Sequence, residues 1–252
     1  MIMRFRSVLK SNVQACKNLF KSDKKPQNLF EIGELYHDFS FFGVKNRQLP
    51  GNFYLNQCCK APIINAYISL AIAKSKKNID DPVTFAELFC ADGYYAMVAT
   101  FFGATKSYGI DNDRDGYFEK AMQIAQILKI ENVEFIKCDI ATSNTTGIEH
   151  ADIVANIGGL YHVENPEEVL VKSYNLAGKF LIVQSVVSMA NDDPEYFETP
   201  APGWSWGCRF NKNSFHMMIQ KLGYKIIDYH FNELVGNERM EDRGSVYYLI
   251  EK

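Results

Sequence analysis

Thr84-Phe-Ala-Glu-Leu-Phe-Cys-Ala-Asp-Gly-Tyr-Tyr-Ala96, with Ser107-Tyr-Gly-Ile-Asp-Asn-Asp113 a short way on, is the stretch whose reading decides the fold. An apolar run from Phe85 to Phe89 meets a tight turn of small residues from Cys90 to Gly93. An apolar helix then runs to Gly103, and a second short strand closes on the acid Asp111. This is a strand-helix-strand unit whose first turn is open for a ligand, and it predicts an α/β chain. Gly93 can approach a ligand or take positive φ cheaply because it has no Cβ. Asp111, with Asn112 beside it, stands at the carboxyl end of the second strand, where a carboxylate can accept hydrogen bonds from the two hydroxyls of a ribose. A dinucleotide fingerprint would need glycines where Phe89 and Ala91 stand, so the turn makes a poor phosphate cradle.

The run Glu87-Leu88-Phe89-Cys90-Ala91-Asp92-Gly93-Tyr94 resembles the first motif of class I S-adenosylmethionine (SAM) dependent methyltransferases. The resemblance implies SAM as cofactor, with Glu87 beneath its methionine part, Phe89, Ala91 and Gly93 along it, and Asp111 with Asn112 at the ribose. It also implies a Rossmann-like sheet, mostly parallel with the last strand antiparallel, carrying helices on both faces and an N-terminal helical cap. Phe89 and Ala91 depart from the glycines of the family pattern.

Working outward from this unit, a helix is expected over Arg114 to Lys129, and Val133 to Ile140 reads as the third strand. By the same resemblance Asp139 bonds the adenine amine and Ile140 covers the ring. Ala151 to Ile157 reads as the fourth strand, placing Asn156 and the loop Gly158-Gly-Leu-Tyr-His-Val-Glu164 at the ligand crevice, which lies outside the carboxyl ends of parallel strands. His162 is a candidate general base because imidazole titrates near neutral pH, and Tyr161 is a candidate ligand contact. Asn165-Pro166-Glu167-Glu168 has the chemistry of a helix start with a capping box. Lys179 to Ser185 reads as the fifth strand, Asn213 to Leu222 as a helix, and Tyr224 to Phe231 with Ser245 to Glu251 as a closing pair of strands.

Two parts of the chain are natural walls for an acceptor. The long loop from Asp192 to Arg209 contains both tryptophans, Trp204 and Trp206, whose flat rings suit a planar substrate. Ahead of the first strand, residues 29 to 57 hold Phe30, Tyr36, Phe39, Phe41, Phe42, Phe53 and Tyr54. Tyr54, Trp204, Trp206 and Arg209 are therefore the substrate-binding candidates. Pro62 to Lys77 reads as a helix entered through its proline. Residues 1 to 25 carry seven basic side chains against Asp23 alone, with apolar residues at helical spacing. Residues 1–81 are expected to form a cap or lid and residues 82–252 the SAM-binding domain.

Composition bounds the partners. The 252 residues are 47% hydrophobic and 23% charged, with a formal net charge of -3, values of an ordinary globular chain without a basic platform for nucleic acid. Six cysteines with no Cys-x-x-Cys pair point to neither zinc nor a disulfide framework, so no metal is expected. No secretory signal and no run of ~20 apolar residues is present, so a cytoplasmic protein without a transmembrane segment is expected. The functional expectation is methyl transfer from SAM to a small, planar or aromatic metabolite. A tRNA acceptor ranks second: Gly159-Leu160-Tyr161-His162 resembles the loop of wobble-uridine carboxymethyltransferases, which use a carboxylated SAM, and the basic segment 1–25 supports it. A SAM-binding protein without turnover ranks third. Oligomeric state has no signature in the sequence.

Overall fold

A computed structural model describes residues 28–143 and 146–252; the basic segment 1–25 and the lid role considered for it lie outside the described residues. The strands of the main sheet are β1 (Thr84–Leu88), β2 (Lys106–Asp111), β3 (Val133–Lys137), β4 (Ala151–Ile157), β5 (Ala177–Val187), β6 (Lys225–Glu233) and β7 (Gly244–Glu251). They lie in the order β3-β2-β1-β4-β5-β7-β6. Every neighbouring pair from β3 to β5 is parallel, and β7 runs antiparallel to both β5 and β6. The expected sheet, mostly parallel with its last strand reversed, is the one observed. Central β1 is paired on both edges and covered on both faces, which is why its residues read as a continuous apolar run rather than an alternating one.

The helices are α1 (Phe53–Ser75), α2 (Tyr94–Phe101), α3 (Phe118–Leu128), α4 (Pro166–Leu176) and α5 (Lys212–Lys221). Two hydrophobic clusters form, one on each face of the sheet, sorted by the two-residue period of the strands. Phe85, Ile153, Ala155, Tyr247 and Leu249 join α1 and α2 on one face. Ala86, Leu88, Val154, Val246, Tyr248 and Ile250 join α4 and α5 on the other. Helix α1, from the segment expected to be a cap, thus shares a core with the sheet. No helix among the described residues is long and apolar enough to cross a membrane.

Several expectations need correction. α1 begins at Phe53, so Pro62 lies inside the helix and not in its first turn. An interior proline costs about 3 kcal/mol. Ile64, Tyr67, Ile68, Ala71 and Ile72 are all buried downstream of it, and at roughly 1.5–3 kcal/mol for each large aliphatic the packing outweighs the proline. The third strand ends at Lys137, three residues early, because the backbone turns at Asp139, whose side chain accepts from the Ala141 N–H (3.0 Å). α3 starts at Phe118, four residues late: Asp113 takes a left-handed conformation, and its carboxylate then accepts from the Phe118 N–H. Asn165 makes no side-chain cap although Pro166 does start α4. The reciprocal capping box belongs to α5, where the Asn211 side chain accepts from the Ser214 N–H (2.8 Å) and the Ser214 hydroxyl accepts from the Asn211 N–H (3.1 Å).

Candidate active site

The β1–α2 turn carries unusual backbone torsion. Phe89 (φ 60°), Ala91 (φ 47°) and Gly93 (φ 74°) are all left-handed, so two side-chain-bearing residues hold conformations that favour glycine. Such strain costs on the order of 1–3 kcal/mol per residue and persists where surrounding contacts over-determine it. Those contacts are visible here. The Ala91 N–H donates to Asp111 Oδ2 (3.0 Å), the Gly93 N–H donates to the Cys90 carbonyl (2.7 Å), and the Ala96 N–H donates to Glu87 Oε2 (2.7 Å). The Phe89 ring occupies the space that a Cβ at Gly159 would need, 2.0 Å from the nearest ring atom. Gly159 therefore accommodates Phe89 across the crevice.

Asp92 locks the N-terminal segment onto this turn. It is fully buried, and Oδ2 accepts from the backbone N–H groups of Tyr36 and His37, both at 2.9 Å, while Oδ1 meets His37 Nδ1 at 2.5 Å. The His37 ring stacks on Tyr94, the first residue of α2. Tyr36 is thereby fixed at the crevice, and burial first, then the charge of Asp92, pushes its phenol up to about 12.

The crevice is a cavity of about 1270 Å³ at the carboxyl ends of β1 to β5, walled by residues 36–60, the β4–α4 loop and the Trp204–Arg209 loop. Glu87, Phe89, Ala91, Asp111, Asn112, Asp139, Tyr161, His162, Trp204, Trp206 and Arg209 all line it, so residues up to 122 positions apart in sequence meet there. Four expected contacts stand elsewhere. Ile140 packs in the core. Asn156 is buried and donates to Ser173 Oγ (2.9 Å). Gly93 is outside the lining, and a Cβ there would lie 2.4 Å from the Phe135 ring, so packing and positive φ already require this glycine. Tyr54 is not in the lining, whereas its neighbour Phe53 is. The sequence reading left unassigned His37, Arg114 and Tyr117, which are in the lining together with Tyr36 and Gln57 from the segment 29 to 57 read as a wall.

Burial raises the carboxyl of Glu87 well above its ordinary range, and burial also raises that of Asp111 against the lowering pull of the Ala91 and Asp113 N–H groups. Asp111 keeps both oxygens bonded to backbone, Oδ2 from Ala91 and Oδ1 from Asp113 (2.7 Å), and each oxygen retains a lone pair for a ligand in the cavity.

His162 stacks on Trp206, with ring centroids 5.2 Å apart at 18°, and the Arg114 guanidinium lies over the other partner of that stack, 4.9 Å from the Trp206 ring. Burial, followed by the charges of Arg114, Arg209 and Lys60, lowers the imidazole to about 3. Burial that disfavours the imidazolium also weakens the ring as a proton acceptor, while the flat face of His162 is engaged by Trp206 in the cavity wall. Because the folded value lies below the unfolded one near 6.5, the unfolded state binds more protons between these values. This group's contribution is present above pH ~6.5 and lost as pH falls toward 3. Denaturant titrations from pH 7 to 4 are expected to show His162→Gln losing less stability on acidification than the parent; parallel pH profiles would refute the neutral buried imidazole.

Comparisons with known proteins follow the same outline. The sequence model of the family described as Methyltransferase domain matches residues 79–231. No curated protein matches the chain significantly. The N-terminal domain of EvdMO1, solved with SAH and D-fucose, is similar over 88% of this chain and 92% of its own at 15% identity, with a TM-score of 0.60. Magnesium protoporphyrin IX methyltransferase (ChlM) from Synechocystis PCC 6803, solved with SAM, is similar over 81% of this chain and 86% of its own at 14% identity, with a TM-score of 0.57. At such identities the likeness establishes the fold.

Proposed function

The chain belongs to the class I methyltransferase-domain family, and from that premise we propose that it transfers the methyl group of SAM to a small, planar or aromatic metabolite. SAM, when bound, supplies an electrophilic methyl on sulfur, and the chain's task is to align an acceptor with it and exclude water. The donor end is assigned to Glu87, Phe89, Ala91, Asp111, Asn112 and Asp139, which line the cavity at the tips of β1, β2 and β3. The fit rests on Asp111, whose carboxylate is held in the lining by two backbone N–H groups with acceptor capacity left for ribose hydroxyls.

The observation that carries the acceptor reading is the cavity itself. Its volume exceeds the about 300–1,000 Å³ of drug-sized ligand pockets, which leaves room for an acceptor beside the donor. Its far wall is aromatic: Tyr36, Phe53, Tyr161, Trp204 and Trp206. With His162 neutral, rate enhancement is assigned to positioning rather than to a strong base. The tRNA reading rests on the resemblance of the Gly159-Leu160-Tyr161-His162 loop and on the basic segment 1–25, which lies outside the described residues.

Calorimetry with SAM and with its demethylated product SAH (S-adenosylhomocysteine), followed by a labelled-methyl assay over aryl alcohols, amines and acids, tests the proposal. Micromolar binding and label in at least one aryl product are expected. A chain that binds neither SAM nor SAH would sink the donor assignment; label recovered in tRNA alone would replace the acceptor.

A further inference from the structure

The donor end of the cavity is lined by acids, and the opposite end concentrates buried positive charge. Arg209, whose side chain is 5% exposed, donates from Nη2 to Asp242 Oδ1 at 2.7 Å. Its Nε and Nη1 are buried and meet no acceptor among the described residues. A guanidinium carries five N–H donors, and leaving buried ones unmade costs about 1–3 kcal/mol per group. Lys60, on the cavity face of α1 and 4% exposed, has no carboxylate within ion-pair distance among the described residues. Its ammonium lies 5.9 Å from the centre of the Tyr36 ring, and the Arg209 guanidinium lies 5.5 Å from that of Tyr161.

Asp242 does not neutralise this cluster, because it also takes Arg239 Nη1 at 3.4 Å. Glu164 and Glu238 line the cavity too, and neither pairs with Lys60 or Arg209. Arg209 thus shares Asp242 with Arg239, which also pairs with Glu241 (3.8 Å), and the buried Lys60 has no carboxylate partner among the described residues. An uncompensated buried charge is expensive, so the arrangement calls for an anion from outside the chain. Burial first, and then the charges of Arg114, Arg209 and Lys60, lower His162, so three cationic side chains face the same part of the cavity.

We propose that this end of the cavity is a carboxylate subsite, in which Arg209 through Nε and Nη1, together with Lys60, grips an acid group carried by the acceptor. The inference rests on the methyltransferase reading for what the acceptor is, and on the charge cluster alone for what it carries. Arg209 is suited because its planar fork matches a carboxylate with two parallel bonds, whereas Lys60 contributes a point charge. Neighbouring rings of Tyr36 and Tyr161 supply faces for an aryl body attached to that acid. A second source of the same chemistry is the donor's own amino-acid carboxylate.

Ligand-observed NMR and calorimetry on the full chain decide between these sources, using benzoate against neutral benzamide with the protein saturated in SAH. Benzoate is expected to bind at least tenfold more tightly than benzamide. Lys60→Met and Arg209→Gln should each erase that preference while SAH affinity stays within threefold. Arg209→Lys, which keeps the charge but not the fork, should retain part of it, and melting curves identify any variant that has unfolded. Equal binding of benzoate and benzamide, or none of either, overturns the subsite. Loss of SAH affinity in both folded variants would give the cations to the donor and overturn the acceptor assignment. If the parent chain itself fails to bind SAH, the donor reading falls, and the benzoate comparison on the ligand-free chain still decides the subsite.

Discussion

Asp111→Ala is expected to weaken SAM and SAH binding by at least about 100-fold, from the loss of two hydrogen bonds to a charged group at about 1.5–3 kcal/mol each. The effect has two sources that a second variant separates. Asp111 would face the ribose, and it also holds the Ala91 N–H (3.0 Å) and the Asp113 N–H (2.7 Å), so it maintains the left-handed backbone at Ala91. Asp111→Asn keeps one acceptor oxygen and should retain more of the backbone geometry than alanine. Calorimetry with SAH on both, with melting temperatures in parallel, checks this. An alanine variant that binds SAH like the parent would remove Asp111 from the site.

Breaking the Asp92 clamp should produce the largest loss of stability. Asp92→Ala removes the acceptor for three donors at once, the N–H groups of Tyr36 and His37 and the His37 ring, in a place with no water access for the side chain. Removing one partner of a buried polar pair costs about 3–5 kcal/mol, because the remaining groups stay desolvated. For a chain of this size that corresponds to a melting temperature lower by roughly 10 °C. Proteolysis should then cut residues 28–52 before the sheet, since Asp92 ties that segment to the β1–α2 turn. The function should suffer further than the fold, because Tyr36 and Phe53 line the cavity on the side proposed for the acceptor. Asp92→Asn, which preserves an acceptor for the backbone pair, is expected to recover part of the loss. A full melting temperature in Asp92→Ala would show that the clamp is incidental.

The strands and their order of appearance were legible because buried parallel strands leave apolar runs and because small-residue turns punctuate them, as at Cys90 to Gly93 and at Gly158-Gly159. The acids of the cavity lining were legible for the same reason: Asp111 ends β2 and Asp139 lies just past the end of β3, whatever packs around them. Boundaries failed where one local signal competed with tertiary packing. Pro62 signals a helix start, yet α1 runs through it because its buried face continues on both sides. Ile140 and Asn156 occupy motif positions, yet the core claims one and Ser173 the other.

What the sequence determined by itself was an α/β sheet with a ligand crevice at the tips of its first strands, since periodicity, turn residues and the acid after β2 are all local properties of the chain. Only the tertiary structure decided how the crevice is closed and charged. The His37–Asp92 contact joins residues 55 apart, Phe89 lies where only Gly159 leaves room, and Lys60 of α1 lines the same cavity as Arg209, nearly 150 residues later. A lysine in an apolar helix and an arginine after two tryptophans look like surface residues in a sequence. Burial sets them apart from surface residues, because without water an unpaired charge is costly, and the proposed carboxylate subsite follows from that.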